Sequence, residues 1–126
     1  MSKGVIKNTE KRSLCPISCS LEVIGDKWSL LILRDMIFAD KSTYNEFLDS
    51  PEGIATNILN DRLKKLTESG IITFSGTEKR KKYALTKIGL DLKPVIDAIG
   101  TFGMKHFEGS KEYMENQLNA LHNRNK

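Results

Sequence analysis

The sequence predicts a mainly α fold carrying one small β-hairpin, an α+β arrangement. Three observations predict it. Between Thr43 and Leu66, a short segment with an apolar edge, a turn rich in helix breakers and a second segment with apolar residues at helical spacing follow one another. Directly after them, Ile71 to Ser75 and Arg80 to Leu85 read as two short strands around a Gly76-Thr77-Glu78 turn. Four consecutive cations, Lys79-Arg80-Lys81-Lys82, run from that turn into the second strand. Helix, turn, helix and hairpin in this order make a winged helix-turn-helix, with flanking N- and C-terminal helices expected to form a dimer interface.

Residues 1–14 are polar and basic, with Lys3, Lys7, Lys11 and Arg12 against Glu10, and read as a flexible arm. Pro16 disfavours helix at Cys15 and suits a first helical turn. A short helix follows from Cys19 to Ile24, Gly25 ends it and Asp26 caps the next. Lys27 to Ile37 is apolar on most faces, which marks a helix that is buried or covered on its second side by another subunit, and Trp28 reads as a core anchor. Thr43 is the expected N-cap of the third helix, with Glu46 completing a capping box. Asp49-Ser50-Pro51-Glu52-Gly53 is the turn. Ile54, Ile58, Leu59, Leu63 and Leu66 form the buried stripe of the fourth helix, and Gly70 stands where a left-handed C-terminal cap needs glycine.

After the hairpin, Thr86 caps a further helix and Gly89 allows close approach to the body. Pro94 either kinks that helix or starts another. Val95, Ile96, Ile99, Phe102 and Phe107 keep an apolar face, on which His106 reads as a core or interface residue. Gly109 breaks the helix and Ser110 opens the last one. There Tyr113, Met114, Leu118 and Leu121 recur at helical spacing, so 108–126 is expected to be a dimerisation helix, the alternative being that it folds back on its own domain, with 15–107 as the winged domain.

The chain has 126 residues, enough for one domain with a sizeable core. Its net charge of +4 permits polyanion binding, but where the cations sit decides more than their sum. No stretch approaches the length of a membrane span or carries the apolar region of a signal peptide, so a cytoplasmic protein with reduced thiols is expected. No Gly-rich phosphate loop, paired catalytic motif or nucleophile elbow is present, which argues against an enzyme. A zinc site from Cys15, Cys19, His106 and His122 is disfavoured because the two histidines lack the usual pairing. Neither metal nor cofactor is expected.

The fold points to double-stranded DNA. A recognition helix enters the major groove by its N-terminal half. The face opposite its buried stripe offers Thr56, Asn57, Asn60, Asp61 and Lys64. Asparagine bonds an adenine edge, threonine meets a base or a thymine methyl, and Lys64 suits a phosphate or a guanine. Asp61 repels phosphate, so it is expected to pair with Arg62 or Lys65, or to meet a cytosine amine. Lys79, Arg80, Lys81 and Lys82 are expected to track the backbone or dip into the minor groove. Thr43, Tyr44 and Asn45 start the supporting helix, where phosphate contacts hold register without reading sequence. The alternative is a winged helix that binds a protein or RNA without operator specificity.

The ordered set of motifs resembles the HxlR family of bacterial winged-helix regulators, which is related to MarR. The residues that carry the resemblance are Cys15-Pro16, Leu21 to Trp28 with Ile32-Leu33, Tyr44 to Phe47, Gly53-Ile54, Leu59, Arg62-Leu63, Leu66, Gly70 to Ile72, Tyr83 to Thr86, Gly89, Leu92 and Pro94. Asp26 stands where many relatives have a second glycine. Ala55 stands where many have a capping serine, so the cap is expected to shift to Thr56. The wing carries Lys79 to Lys82 in place of the proline and glutamate often found before the tyrosine. The resemblance implies a homodimer on a pseudo-palindromic operator, usually a repressor. In several members of the family the cysteine matching Cys15 senses oxidants or electrophiles, so release by thiol modification is one expectation, with release by a small effector, or two inert thiols, as the alternatives. From the sequence itself, Cys15 and Cys19 lie four apart and share a face if both are helical. Arg12 and a nearby helix N-terminus would both lower the Cys15 thiol.

Overall fold

The computed structural model describes residues 6 and 13–124. The remainder of the expected N-terminal arm, Arg12 included, lies outside the described residues. The chain divides into two compact units, one ending at Asp91 and the other beginning at Leu92.

The first unit holds α1 (Pro16–Ile24), α2 (Lys27–Phe38), α3 (Tyr44–Leu48), α4 (Thr56–Glu68), β1 (Ile72–Thr77), β2 (Arg80–Leu85) and α5 (Lys87–Leu90). It is a winged helix-turn-helix, with α3 and α4 as the helix pair and the antiparallel β1–β2 hairpin as the wing. Its core is apolar and tight. Ile32 and Leu33 of α2, Phe47 of α3, Leu59, Leu63 and Leu66 of α4, and Ile71 and Ile72 at the hairpin base are each 3% exposed or less. Burying such a side chain fully contributes roughly 1.5–3 kcal/mol relative to leaving it in water.

Local chemistry sets each boundary. Asp26 caps α2 by accepting the Ser29 amide at 2.9 Å. Thr43 and Glu46 close a reciprocal capping box at α3. At the end of α4, Gly70 adopts φ +81°. The Ile71 amide returns to the Leu66 carbonyl and the Gly70 amide to that of Thr67, both at 3.1 Å, which is a Schellman motif with Ile71 and Leu66 as its buried apolar pair. Thr86 caps α5 and donates to the Gly70 carbonyl at 2.6 Å, tying the hairpin's end to its start. Gly89 must be small, since a Cβ there would sit 2.3 Å from the Ile71 carbonyl oxygen.

The second unit holds α6 (Lys93–His106) and α7 (Ser110–Arg124), which contact each other. Ile96 is buried, while Val95, Ile99 and Phe102 form an exposed apolar stripe along α6. Among the described residues, no helix is long and apolar enough to cross a membrane.

Several expectations are corrected. Helix α1 starts at Pro16, a turn earlier than expected, because proline's fixed φ suits the first helical turn. Pro94 lies in the first turn of α6 and therefore divides two helices rather than kinking one. Gly76 and Thr77 belong to β1, and the turn is the pair Glu78-Lys79, because Thr77 already pairs with Arg80. Gly76 fits by its φ of +93°, and a Cβ there would meet the Arg80 carbonyl at 2.2 Å. Trp28 is half-buried rather than fully enclosed, with the Lys27 ammonium 5.0 Å from its ring. His106 is exposed and rests against the Phe102 ring at 4.8 Å. The cap of α4 does not move to Thr56. Ala55 occupies the cap position, and no side chain there accepts a helix amide.

Candidate nucleic-acid interface

Helix α4 is set by its leucines. With Leu59, Leu63 and Leu66 buried, Thr56, Asn57, Asn60 and Lys64 stand exposed. Asp61 is half-buried and paired, as its chemistry required. Its carboxylate binds the Arg62 guanidinium and lies 3.4 Å from the Lys65 ammonium. Partial desolvation opposes ionisation, yet the Lys65 and Arg62 partners hold the Asp61 carboxyl below its ordinary value.

The supporting helix is joined to α4 at its start. The Tyr44 hydroxyl donates to the Thr56 carbonyl at 3.4 Å. The Thr43 hydroxyl is engaged in its cap, accepting the Glu46 amide and donating to Glu46 Oε1 at 3.1 Å. The same oxygen takes the Ser42 and Thr43 amides at 2.9 and 3.0 Å, and these bonds hold the Glu46 carboxyl below its ordinary value. Glu46 thus takes the two amides just before α3, and Asn45 is the exposed member of the expected trio.

The hairpin sorts the four cations by strand alternation. Lys79 lies in the turn, and Arg80 and Lys82 are exposed on one face of β2. Lys81 points the other way, where its ammonium lies 4.4 Å from the Phe74 ring and 3.5 Å from Glu78 Oε2. Phe74 packs on Tyr83, and Tyr83 meets Phe47 edge-on at 6.2 Å, linking the wing to α3. The Tyr83 amide also donates to the Ser42 carbonyl at 2.7 Å, which holds β2 against the loop before α3.

The cysteines lie elsewhere, on the first helix. Cys15 is exposed at the N-cap of α1, and Cys19 is half-buried one turn later with its thiol 3.3 Å from the Ser13 carbonyl. The Ser18 and Ile17 amides hold the Cys15 thiol below its ordinary value. Cys15, Ile17, Ser18, Leu21 and Glu22 line a shallow surface hollow of about 510 Å³.

Two features escaped sequence reasoning. Arg62 Nε donates to Asp26 Oδ1 at 2.9 Å, across 36 residues. Asp35, on the mostly apolar α2, is buried and accepts the Ser50 hydroxyl from the turn. The signal for the second was present: a carboxylate within an apolar helix needs partners.

Comparison with known proteins agrees with the fold. The profile described as HxlR-like helix-turn-helix matches residues 23–111. The uncharacterised HTH-type transcriptional regulator sll1512 of Synechocystis sp. is 31% identical, over 79% of this chain and 75% of its own length. Among solved structures, PA1607, described as a candidate transcription factor, is 38% identical with a TM-score of 0.71, covering 79% of this chain and 70% of that one. The redox regulator HypR in its oxidised form is 28% identical with a TM-score of 0.66, covering 75% of this chain and 99% of that one.

Proposed function

The chain belongs to the HxlR-like helix-turn-helix family of transcription regulators, and on that premise we propose that it is a homodimeric repressor of a pseudo-palindromic operator. One observation carries the reading. Helix α4 buries a leucine stripe and turns Thr56, Asn57, Asn60 and Lys64 outward, directly before a hairpin whose Arg80 and Lys82 share an exposed face. In this reading those α4 residues meet base edges, Lys79, Arg80 and Lys82 follow phosphates, and Asn45 holds the register.

A second copy would cover apolar side chains that one chain leaves in water. These are Ile17 and Leu21 on α1, Val95, Ile99 and Phe102 on α6, and Tyr113 and Leu118 on α7, the segment proposed as the dimerisation element. Two recognition helices on a two-fold axis then read two half-sites one helical turn apart. Release is assigned to the thiol of Cys15, which is exposed and lowered toward thiolate at a helix start, or to a small effector. The likeness to the redox regulator HypR supports the thiol route.

Fluorescence anisotropy against duplexes tiled from the DNA upstream of the gene, in reductant, tests the proposal. One tile should bind tightly and resist excess unrelated duplex. With roughly 6–10 phosphates neutralised, its affinity should fall about 10³- to 10⁵-fold between 50 and 200 mM salt. Weak binding to every sequence, with no dependence on salt, would instead indicate a winged helix turned to a protein partner.

A further inference from the structure

We infer that Arg62 and Asp26 act together as the positioning pair that sets the angle at which α4 offers its readers, so that sequence discrimination depends on a bond formed away from the base-contacting face. This inference rests on the operator-binding reading.

The argument begins with what leucines cannot do. Leu59, Leu63 and Leu66 bury one side of α4, but apolar burial is non-directional and leaves a helix free to settle through small rotations. Arg62 lies on that same side, three residues after Leu59 and four before Leu66. Its planar guanidinium has donors in a fixed fork, so the bond it makes has a direction. The acceptor is itself anchored. Asp26 Oδ1 takes the Ser29 amide at 2.9 Å and its Oδ2 takes the Ser29 hydroxyl at 2.6 Å, at the start of a helix whose Ile32 and Leu33 are in the core. The 2.9 Å bond from Arg62 Nε to Asp26 therefore references α4 to a fixed point on α2.

The other arm of the same guanidinium holds Asp61. Asp61 lies beside Asn57, Asn60 and Lys64 in the helix, where a bare carboxylate would repel phosphate. Arg62 and Lys65 together balance Asp26 and Asp61, so the reading face is not left with an uncompensated negative charge. One side chain thus orients the readers and neutralises the carboxylate among them.

The pair also has a distinctive place in the chain. Gly25 and Asp26 are the whole link between α1, which carries Cys19 and is capped by Cys15, and α2. A shift at the end of α1 would reach α4 through these two residues and one bond.

The test compares Asp26→Asn, Arg62→Lys, Arg62→Gln and the Asp26→Asn/Arg62→Gln double variant. The probe is a duplex selected from a randomised pool by the wild-type protein, with an unrelated duplex for non-specific affinity and thermal unfolding as a check on folding. Asparagine still caps α2, so Asp26→Asn removes chiefly the charged acceptor. The ratio of specific to non-specific affinity should fall by about two- to thirtyfold in each single variant, and no further in the double. Arg62→Lys should fall as Arg62→Gln does, because it keeps the charge and loses the fork. An unchanged ratio in Asp26→Asn, additive losses in the double, or full rescue by lysine would each overturn the inference while leaving operator binding intact. A wild-type protein that selects no sequence would overturn the operator reading, and this inference with it.

Discussion

Arg34 grips Glu52 through two parallel bonds, Nη1 to Oε2 at 2.7 Å and Nη2 to Oε1 at 2.9 Å. The same guanidinium reaches Asp35 Oδ1 from Nε and Nη2 at 3.0 and 2.8 Å. Asp35 in turn accepts the Ser50 hydroxyl, and Lys41 donates to Ser50 at 3.2 Å. Two residues of the turn between α3 and α4 are thereby fastened to the last turns of α2. The turn fixes where α4 begins, so this network acts on the recognition helix from its N-terminal end.

Acid should loosen that fastening. Arg34 is the main reason the Glu52 carboxyl is held below its ordinary value, so the folded chain binds the Glu52 proton more weakly than the unfolded chain does. The resulting stabilisation is complete above the ordinary glutamate pKa of about 4.3 and is lost as pH falls through the lowered folded value. Glu52→Gln should cost about 1 kcal/mol at neutral pH, a modest figure because solvent screens a part-exposed pair. It should also flatten the pH dependence of stability below about pH 5. Urea unfolding of both proteins across that range measures it, and parallel pH curves would show that the pair contributes nothing.

Helix α4 should gain from the cap it lacks. Ala55 has extended backbone angles of φ −71° and ψ 148° but offers no oxygen to the first-turn amides. Ala55→Ser should supply one and raise stability by about 1 kcal/mol. That is several degrees in the midpoint of thermal unfolding. No rise would mean that serine fails to reach the amides or that water already serves them equally well.

The fold was readable because its punctuation is local. Thr43 with Glu46, Gly70 after Leu66, Thr86 before Gly89 and Asp26 before Ser29 each act within a few residues, and each cap formed as its residue type requires. Pro94 could not be resolved locally, since a proline kinks or starts a helix according to what the preceding residues do. The candidate site divides in the same way. The outward face of α4 follows from periodicity alone. The fate of individual charges does not, because Arg62 is committed to Asp26 across 36 residues and Lys81 to Phe74 across the hairpin. Alternation along β2 already separates Lys81 from Arg80 and Lys82, once the register places the turn at Glu78-Lys79.

That separation predicts unequal roles in the wing. Arg80→Ala and Lys82→Ala should each weaken binding to specific and unrelated duplex alike and reduce the slope of log affinity against log salt by about 1. Lys81→Ala removes the cation over Phe74 and the contact with Glu78. It should leave the salt slope nearly unchanged and lower stability by about 0.5–1 kcal/mol. Anisotropy titrations at several salt concentrations distinguish the two. Equal slopes for all three variants would show that Lys81 leaves its ring to meet phosphate.

The Cys15 thiol should react as a partial thiolate. It is exposed at the start of α1, where the Ser18 and Ile17 amides stabilise the negative sulfur and hold its pKa down. The thiolate is the nucleophile, so alkylation by iodoacetamide should accelerate as pH rises, with a midpoint below the ordinary thiol value of about 8.5. Cys15→Ser should remove that fast phase, and mass spectrometry of the wild type should place the adduct on Cys15. The same substitution should abolish any release of the selected duplex by peroxide, while Cys19→Ser tests whether the half-buried thiol one turn later is needed to resolve the oxidised sulfur. Peroxide that releases the duplex equally from wild type and Cys15→Ser would remove Cys15 as the sensor. A normal alkylation midpoint would remove the helix start as the source of its reactivity.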